Sequence, residues 1–168
     1  MNLIVSVDQK WGIGREGQLL CPIPEDLKQF KAHTLGKVVV LGRLTLATFP
    51  KQQPLPGREN VILSRNPAYT VPGGVVVHTL AELFQYLRPY REEQIYIIGG
   101  AQIYRLLLPY CHRAYVTQLD QDFHGDRFFP SLDGVAGWRL AACSSWQTYA
   151  GTGYRFCTYV QDAPEPWR

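Results

Sequence analysis

The chain has 168 residues, 46% of them apolar and 18% charged, with 12 prolines scattered along it, a globular profile that excludes a disordered chain. A net charge of +3, with no run of Lys and Arg, excludes the basic stripe of a nucleic-acid binder. The length predicts one domain, residues 1–168, large enough for a continuous core and a deep cleft.

The first element is an apolar run, Leu3 to Val7, that reads as a strand. Asp8 interrupts it, no basic leader or cleavage pattern accompanies it, and no later segment approaches bilayer length. A soluble, unexported, cytoplasmic protein is expected. Gly12-Ile13-Gly14-Arg15-Glu16-Gly17 then spells the G-x-G-x-x-G of a Rossmann site. That motif must open a helix, yet Pro22 and Pro24 follow closely, and no acidic strand-end residue stands downstream to hold a ribose. A flexible surface loop between the first strand and the first helix is predicted instead.

Helical stretches follow at Pro24 to Thr34, Thr45 to Phe49, Leu80 to Leu87 and Ala101 to Leu108. Between them lie β-branched runs at Val38 to Leu41, Val61 to Ser64, Val75 to Val77, Ile95 to Ile98 and Tyr115 to Leu119. Val38 to Leu41 and Ile95 to Ile98 are apolar at consecutive positions, which suits central strands covered on both faces. This alternation predicts a mostly parallel α/β sheet. Trp138 to Ser145 and Tyr154 to Gln161 flank the turn Gly151-Thr152-Gly153 and predict an antiparallel hairpin at one edge.

Cys21, Cys111, Cys143 and Cys157 form no C-x-x-C pair, and the four histidines show no ligand spacing, so no metal site is expected. Reduced thiols are predicted, with Cys143 and Cys157 as core residues of strands.

Two glycine sites have the context that the Rossmann look-alike lacks. Gly42-Arg43-Leu44-Thr45 and Gly99-Gly100-Ala101-Gln102 each follow a strand and open a helix. Each presents unpaired N–H groups and a positive dipole end at a strand's carboxyl end. A parallel sheet lines such ends up on one rim, and a dinucleotide has two phosphates to hold.

The chain resembles the dihydrofolate reductase family from near its first residue to its last strands. The matching motifs are Ile13-Gly14; Ile23-Pro24-Glu25-Asp26-Leu27 with Phe30; Gly42-Arg43 with Thr45; Pro54-Leu55-Pro56-Gly57-Arg58; Ile62-Leu63-Ser64-Arg65; Ile98-Gly99-Gly100 with Tyr104; Thr117; and Gly125-Asp126 with Phe129-Pro130. The resemblance implies a twisted eight-stranded, mostly parallel sheet with a C-terminal antiparallel hairpin and four flanking helices. The reaction it implies is NADPH-dependent reduction of 7,8-dihydrofolate to 5,6,7,8-tetrahydrofolate, by hydride transfer to C6 and protonation of N5.

On this resemblance Asp26 is the central residue, binding the pterin's amino group and ring nitrogen and promoting N5 protonation through water, with burial raising its pKa. Thr117 is implied to hydrogen-bond Asp26 and the pterin. Ile4, Val5, Leu27, Phe30, Phe49, Leu55, Ile98 and Tyr104 are implied around the substrate, and Arg58 clamps the α-carboxylate of its glutamate tail with a planar fork. Cofactor contacts are implied for Ser6, Ile13, Gly42, Arg43, Leu44, Thr45, Leu63, Ser64, Arg65, Ile98, Gly99, Gly100, Ala101, Gln102, Ile103 and Tyr104, with Arg43 and Arg65 near the 2′-phosphate. The family also implies a monomer, inhibited by diaminopyrimidine and pteridine antifolates, with no nucleic-acid or membrane partner. Cys21 departs from the pattern, since most of the family has an aromatic residue, usually Trp, at that place. A pyrimidine reductase of riboflavin synthesis would not keep both Asp26 and Arg58. A catalytically silent NADPH-binding protein would not retain every site residue except position 21.

Overall fold

A computed structural model describes all 168 residues. The elements in chain order are β1 (Asn2–Val7), β2 (Gly12–Gly14), α1 (Pro24–Thr34), β3 (Val38–Gly42), α2 (Arg43–Leu46), β4 (Glu59–Leu63), β5 (Val75–Val77), α3 (Leu80–Leu87), β6 (Ile95–Gly99), α4 (Ala101–Leu107), β7 (Arg113–Leu119), β8 (Arg127–Phe128), β9 (Trp138–Cys143), β10 (Gln147–Tyr149) and β11 (Thr152–Gln161). The main sheet runs β10-β11-β7-β1-β6-β3-β4-β5, and β9 also pairs with β11. β9 and β10 occupy successive stretches along the same side of β11, so the sheet has eight strand positions. The six strands from β5 to β7 are mutually parallel, and β11 turns antiparallel against β7.

β3 and β6 are buried at every position, because layers cover both faces of the sheet there. On one face Leu3, Val5, Val7, Val40 and Ile97 pack with Leu83 and Leu87 of α3 and Tyr104 and Leu107 of α4. The opposite face carries a smaller core of Val39, Leu41, Leu46, Ile62, Tyr96 and Ile98. α1 lies on this second face and buries only Thr34 completely, which leaves a cleft between helix and sheet. β6 lies between β1 and β3, where the chain reverses its direction of travel across the sheet. Ligands bind beyond the carboxyl ends of strands at such switch points.

Four sequence expectations need correction. The helix expected at Thr45 to Phe49 starts directly after Gly42 and ends at Leu46, whose side chain is buried. The Gly12 segment is not wholly loop: β2 pairs with β8 in a separate two-stranded ribbon. The hairpin turn is Ala150-Gly151, between the paired Tyr149 and Thr152, and both turn residues have positive φ (48° and 82°), as a tight two-residue turn requires. Finally, Cys143 and Cys157 are not separate thiols. They stand directly opposite in the β9–β11 register and are joined by a disulfide, leaving Cys21 and Cys111 free. No helix is long and apolar enough to cross a membrane.

Candidate active site

α1 begins at Pro24, whose fixed φ suits a first helical position and whose missing N–H would have been unpaired there in any case. Glu25 and Asp26 in the first turn favour the positive end of the helix. Their side chains then diverge. Glu25 is exposed and pairs with Lys28 at 3.0 Å. Asp26 faces the sheet, where Thr117 of β7 donates to it, Oγ1 to Oδ1 2.5 Å. Burial raises the Asp26 pKa above the ordinary carboxylate range, and the Thr117 hydrogen bond only partly opposes this. The result is a carboxyl group suited to proton chemistry.

Of the expected apolar wall, Ile4, Phe30, Phe49, Leu55 and Ile98 come together in the smaller core beside α1. Two expected neighbours do not join them. Val5 points its side chain into the larger core, because successive residues of a strand face opposite sides. Leu27, one turn before Phe30, is 52% exposed and stands outside that cluster. Arg58 is half-buried at the far end of the helix; its Nε donates to Thr34 Oγ1 at 3.2 Å and its Nη1 to the Pro56 carbonyl at 2.9 Å. Its guanidinium carbon lies 5.9 Å from the centre of the Phe30 ring.

The glycine rim is built by close approach of side chains to bare backbone. Leu41 and Gly99 are partners across β3 and β6, so the starts of α2 and α4 are neighbours. A Cβ added to Gly42 would stand 3.0 Å from Ile103, and one added to Gly100 would stand 3.2 Å from Thr45 Oγ1. Gly99 has φ +120°, and a Cβ there would meet the Tyr104 ring at 3.2 Å. Tyr104 in turn donates its hydroxyl to the Ile4 carbonyl at 2.7 Å. Burial, and to a lesser degree the charge of Asp26, keeps this phenol protonated.

Gly42 pairs with Leu63 of β4, so Arg43 and the Ser64-Arg65 pair emerge side by side. Both arginines are exposed, as are Leu44 and Gln102. Ser64 is buried, and its carbonyl lies 2.8 Å from His78 Nδ1. Ile13, Leu63 and Ile103 pack against the larger core. Ser6 Oγ is enclosed without a hydrogen-bond partner.

Two residues important to the site's edge had no role in the sequence reading. Asp8 is buried and accepts backbone N–H groups from Lys10 (2.9 Å) and Gly12 (2.8 Å) through Oδ1 and from Phe123 (2.9 Å) through Oδ2. The available signal was an Asp ending an apolar strand just before a glycine-rich turn, a frequent side-chain acceptor for turn amides. Phe123 packs, with Cys21 and Phe156, against the buried trio Ile23, Leu119 and Tyr154. Asp126, matched only as a motif, accepts from Glu16 N at 2.9 Å, and its own N–H donates to the Gly14 carbonyl at 2.8 Å.

The family model described as dihydrofolate reductase matches residues 1–161. The chain is 36% identical to a dihydrofolate reductase of Neisseria meningitidis serogroup A over 162 residues, covering 96% of this chain and 98% of that one. It is 33% identical to the dihydrofolate reductase of Bacillus subtilis over 142 residues, 84% of this chain and 82% of the relative. Among solved structures, the dihydrofolate reductase from Enterococcus faecalis complexed with NADP(H) and RAB-propyl superposes with a TM-score of 0.84 at 31% identity, over 96% of both chains.

Proposed function

The chain belongs to the dihydrofolate reductase family, and from that premise we propose that it reduces 7,8-dihydrofolate to 5,6,7,8-tetrahydrofolate with NADPH, using Asp26 as the proton-handling group. The observation that carries the residue assignment is the half-buried Asp26–Thr117 pair, whose 2.5 Å hydrogen bond stands in an otherwise apolar cleft.

The residues present fit the cofactor. Gly42, Gly99 and Gly100 leave the backbone bare along the rim, where an added Cβ would press on Ile103, Tyr104 and Thr45, and the enclosed Ser6 hydroxyl has an unused polar atom. Arg43, Thr45, Ser64, Arg65 and the first residues of α4, Ala101 and Gln102, would hold its phosphates and ribose, with Ile13 and Ile98 against the nicotinamide. When bound there, NADPH would supply the hydride for C6 of the pterin. Ile4, Phe30, Phe49, Leu55 and Ile98 exclude water and hold the rings in contact. Asp26 binds the pterin's amino group and ring nitrogen through its carboxyl oxygens. Its raised pKa favours delivery of a proton, relayed by water, to N5. Thr117 fixes the carboxyl orientation, and Arg58 binds the α-carboxylate of the substrate's tail.

A monomeric, cytoplasmic, single-domain enzyme of one-carbon metabolism, open to diaminopyrimidine and pteridine antifolates, completes the reading. Mixing purified protein with dihydrofolate and NADPH tests it: nicotinamide absorbance falls only when both are present. No loss of absorbance at high enzyme concentration sinks the proposal.

A further inference from the structure

Asp8 has no place in the reaction just described, yet it is 4% exposed and its carboxylate is committed to three backbone amides. Those amides belong to two separate segments. Lys10 lies in the turn before β2 and Gly12 opens that strand, and Phe123 lies in the stretch between β7 and β8. A buried carboxylate that bridges two segments is costly unless its acceptors are all used, and here they fix where each segment runs.

Phe123 leads from this staple to the active site. It packs against Ile23, Leu119 and Tyr154. Ile23 is the residue before α1, and its carbonyl accepts from Leu27 N, so it sets the turn that presents Asp26. Leu119 follows Thr117 by two positions and shares its face of β7. Phe156, packed on the same trio, is the cross-strand partner of Thr117. The cluster therefore flanks the Asp26–Thr117 pair from the loop side. On its outer side Phe123 borders a surface cavity of about 410 Å³ with Leu19 and Leu20.

We propose that Asp8 is a positioning residue for the active site, acting through Phe123, which it holds as the plug that keeps solvent from the loop side of the Asp26–Thr117 pair. The proposal rests on the reductase reading above. The titratable groups around Asp26 are few. The Tyr104 phenol, in the other core and bonded to the Ile4 carbonyl, feels its charge; Cys21 precedes α1; and on α1 itself Glu25 and Lys28 are exposed and paired with each other. On the loop of Phe123, Asp122 and His124 form a surface pair at 3.7 Å. Removing the plug thus changes the hydration of Asp26 and leaves the charges around it in place.

The experiment measures single-turnover hydride transfer, with NADPH and dihydrofolate, across pH for wild type, Phe123→Ala, Asp8→Asn and the double variant, with thermal melts alongside. Asp8→Asn replaces one acceptor oxygen with a donor. A wetter Asp26 returns toward the ordinary carboxylate range, so the fall in rate with rising pH begins at lower pH in Phe123→Ala. At neutral pH its rate drops roughly three- to ten-fold, the scale of coupling between neighbouring groups. Asp8→Asn moves the profile the same way, and the double variant moves it no further than Phe123→Ala. Phe123→Ala decides alone if Asp8→Asn does not fold. A folded Phe123→Ala with the wild-type pH profile overturns the proposal, as do shifts that add in the double variant. Wild-type protein that leaves NADPH unconsumed fails earlier and differently, by removing the reaction itself.

Discussion

The two walls of the cleft are made of different material. On the α1–β7 wall the proposed chemistry rests on side-chain atoms, one carboxyl oxygen of Asp26 and one hydroxyl of Thr117. On the β3–β6 rim it rests on bare backbone, at Gly42, Gly99 and Gly100, where the next atoms stand 3.0 to 3.2 Å from any added Cβ. A side-chain wall can lose its chemistry while the fold stays intact. A backbone rim ties binding to packing, so its specificity has to come from the exposed side chains set around it.

The sharpest test of this contrast is Asp26→Asn. It keeps an acceptor for Thr117 and leaves the glycine rim untouched, so NADPH binding is expected to stay at the wild-type level by fluorescence titration. Hydride transfer to dihydrofolate should fall by roughly 10²-fold or more, the scale for a lost proton-transfer group. The deficit should shrink at low pH, where solvent supplies protonated substrate. Stability should move the other way. Folding raises the pKa of Asp26, so its stabilising contribution is full below the unfolded value and is lost as pH rises through the folded value. The Asn variant is therefore expected to melt above wild type at neutral pH, with the gap closing on acidification. A deficit equal at every pH, or a lower melting temperature at neutral pH, contradicts the assignment.

The rim is probed by its arginines. Arg43→Ala and Arg65→Ala should each weaken NADPH binding roughly ten-fold, about 1.5 kcal/mol, the low end for a charge-assisted contact because both residues are exposed. NADH lacks the 2′-phosphate and should bind each variant much as it binds wild type. Equal weakening of both cofactors would place the arginines elsewhere in the binding scheme.

Legibility in the sequence followed the same division. α1 runs over the predicted residues, Pro24–Thr34, because proline and two acids mark its start. β3 and β6 announced themselves by runs apolar at consecutive positions. What depends on register did not show. Counting outward from the Thr148–Gly153 pair puts Cys143 opposite Thr158, but the break between β9 and β10 shifts the pairing and brings Cys143 to Cys157. Asp8 was equally hidden, since its partners are amides more than a hundred positions away at Phe123 as well as next door. The side chain of Val5 goes to the opposite core by strand alternation, so only its backbone is left to face the cleft.

The smallest expected effect concerns Cys21, where the family pattern has an aromatic ring. A thiol in that place suggests a roomy, wet wall, and Cys21→Trp would then tighten the pocket. The structure argues against spare room, because Phe123 and Phe156 already pack against the same cluster of Ile23, Leu119 and Tyr154 as Cys21. Aromatic surface is present; it comes from other segments. A Trp at 21 must displace a neighbour, and overpacking a filled site costs about 1 to 3 kcal/mol. Phe123 is the neighbour most able to move, being half-exposed on a connecting segment. Cys21→Trp alone is therefore expected to lower the melting temperature and slow hydride transfer a few-fold, roughly the effect of about 1 kcal/mol. Shortening Phe123 to Ala in the same chain should recover stability, because the two rings then exchange places. Diaminopyrimidine binding, measured by fluorescence quenching, should follow the same order, weakest in the single Trp variant. If Cys21→Trp by itself is as stable as wild type and transfers hydride faster, the side-chain wall has room to spare and the exchange of rings is wrong.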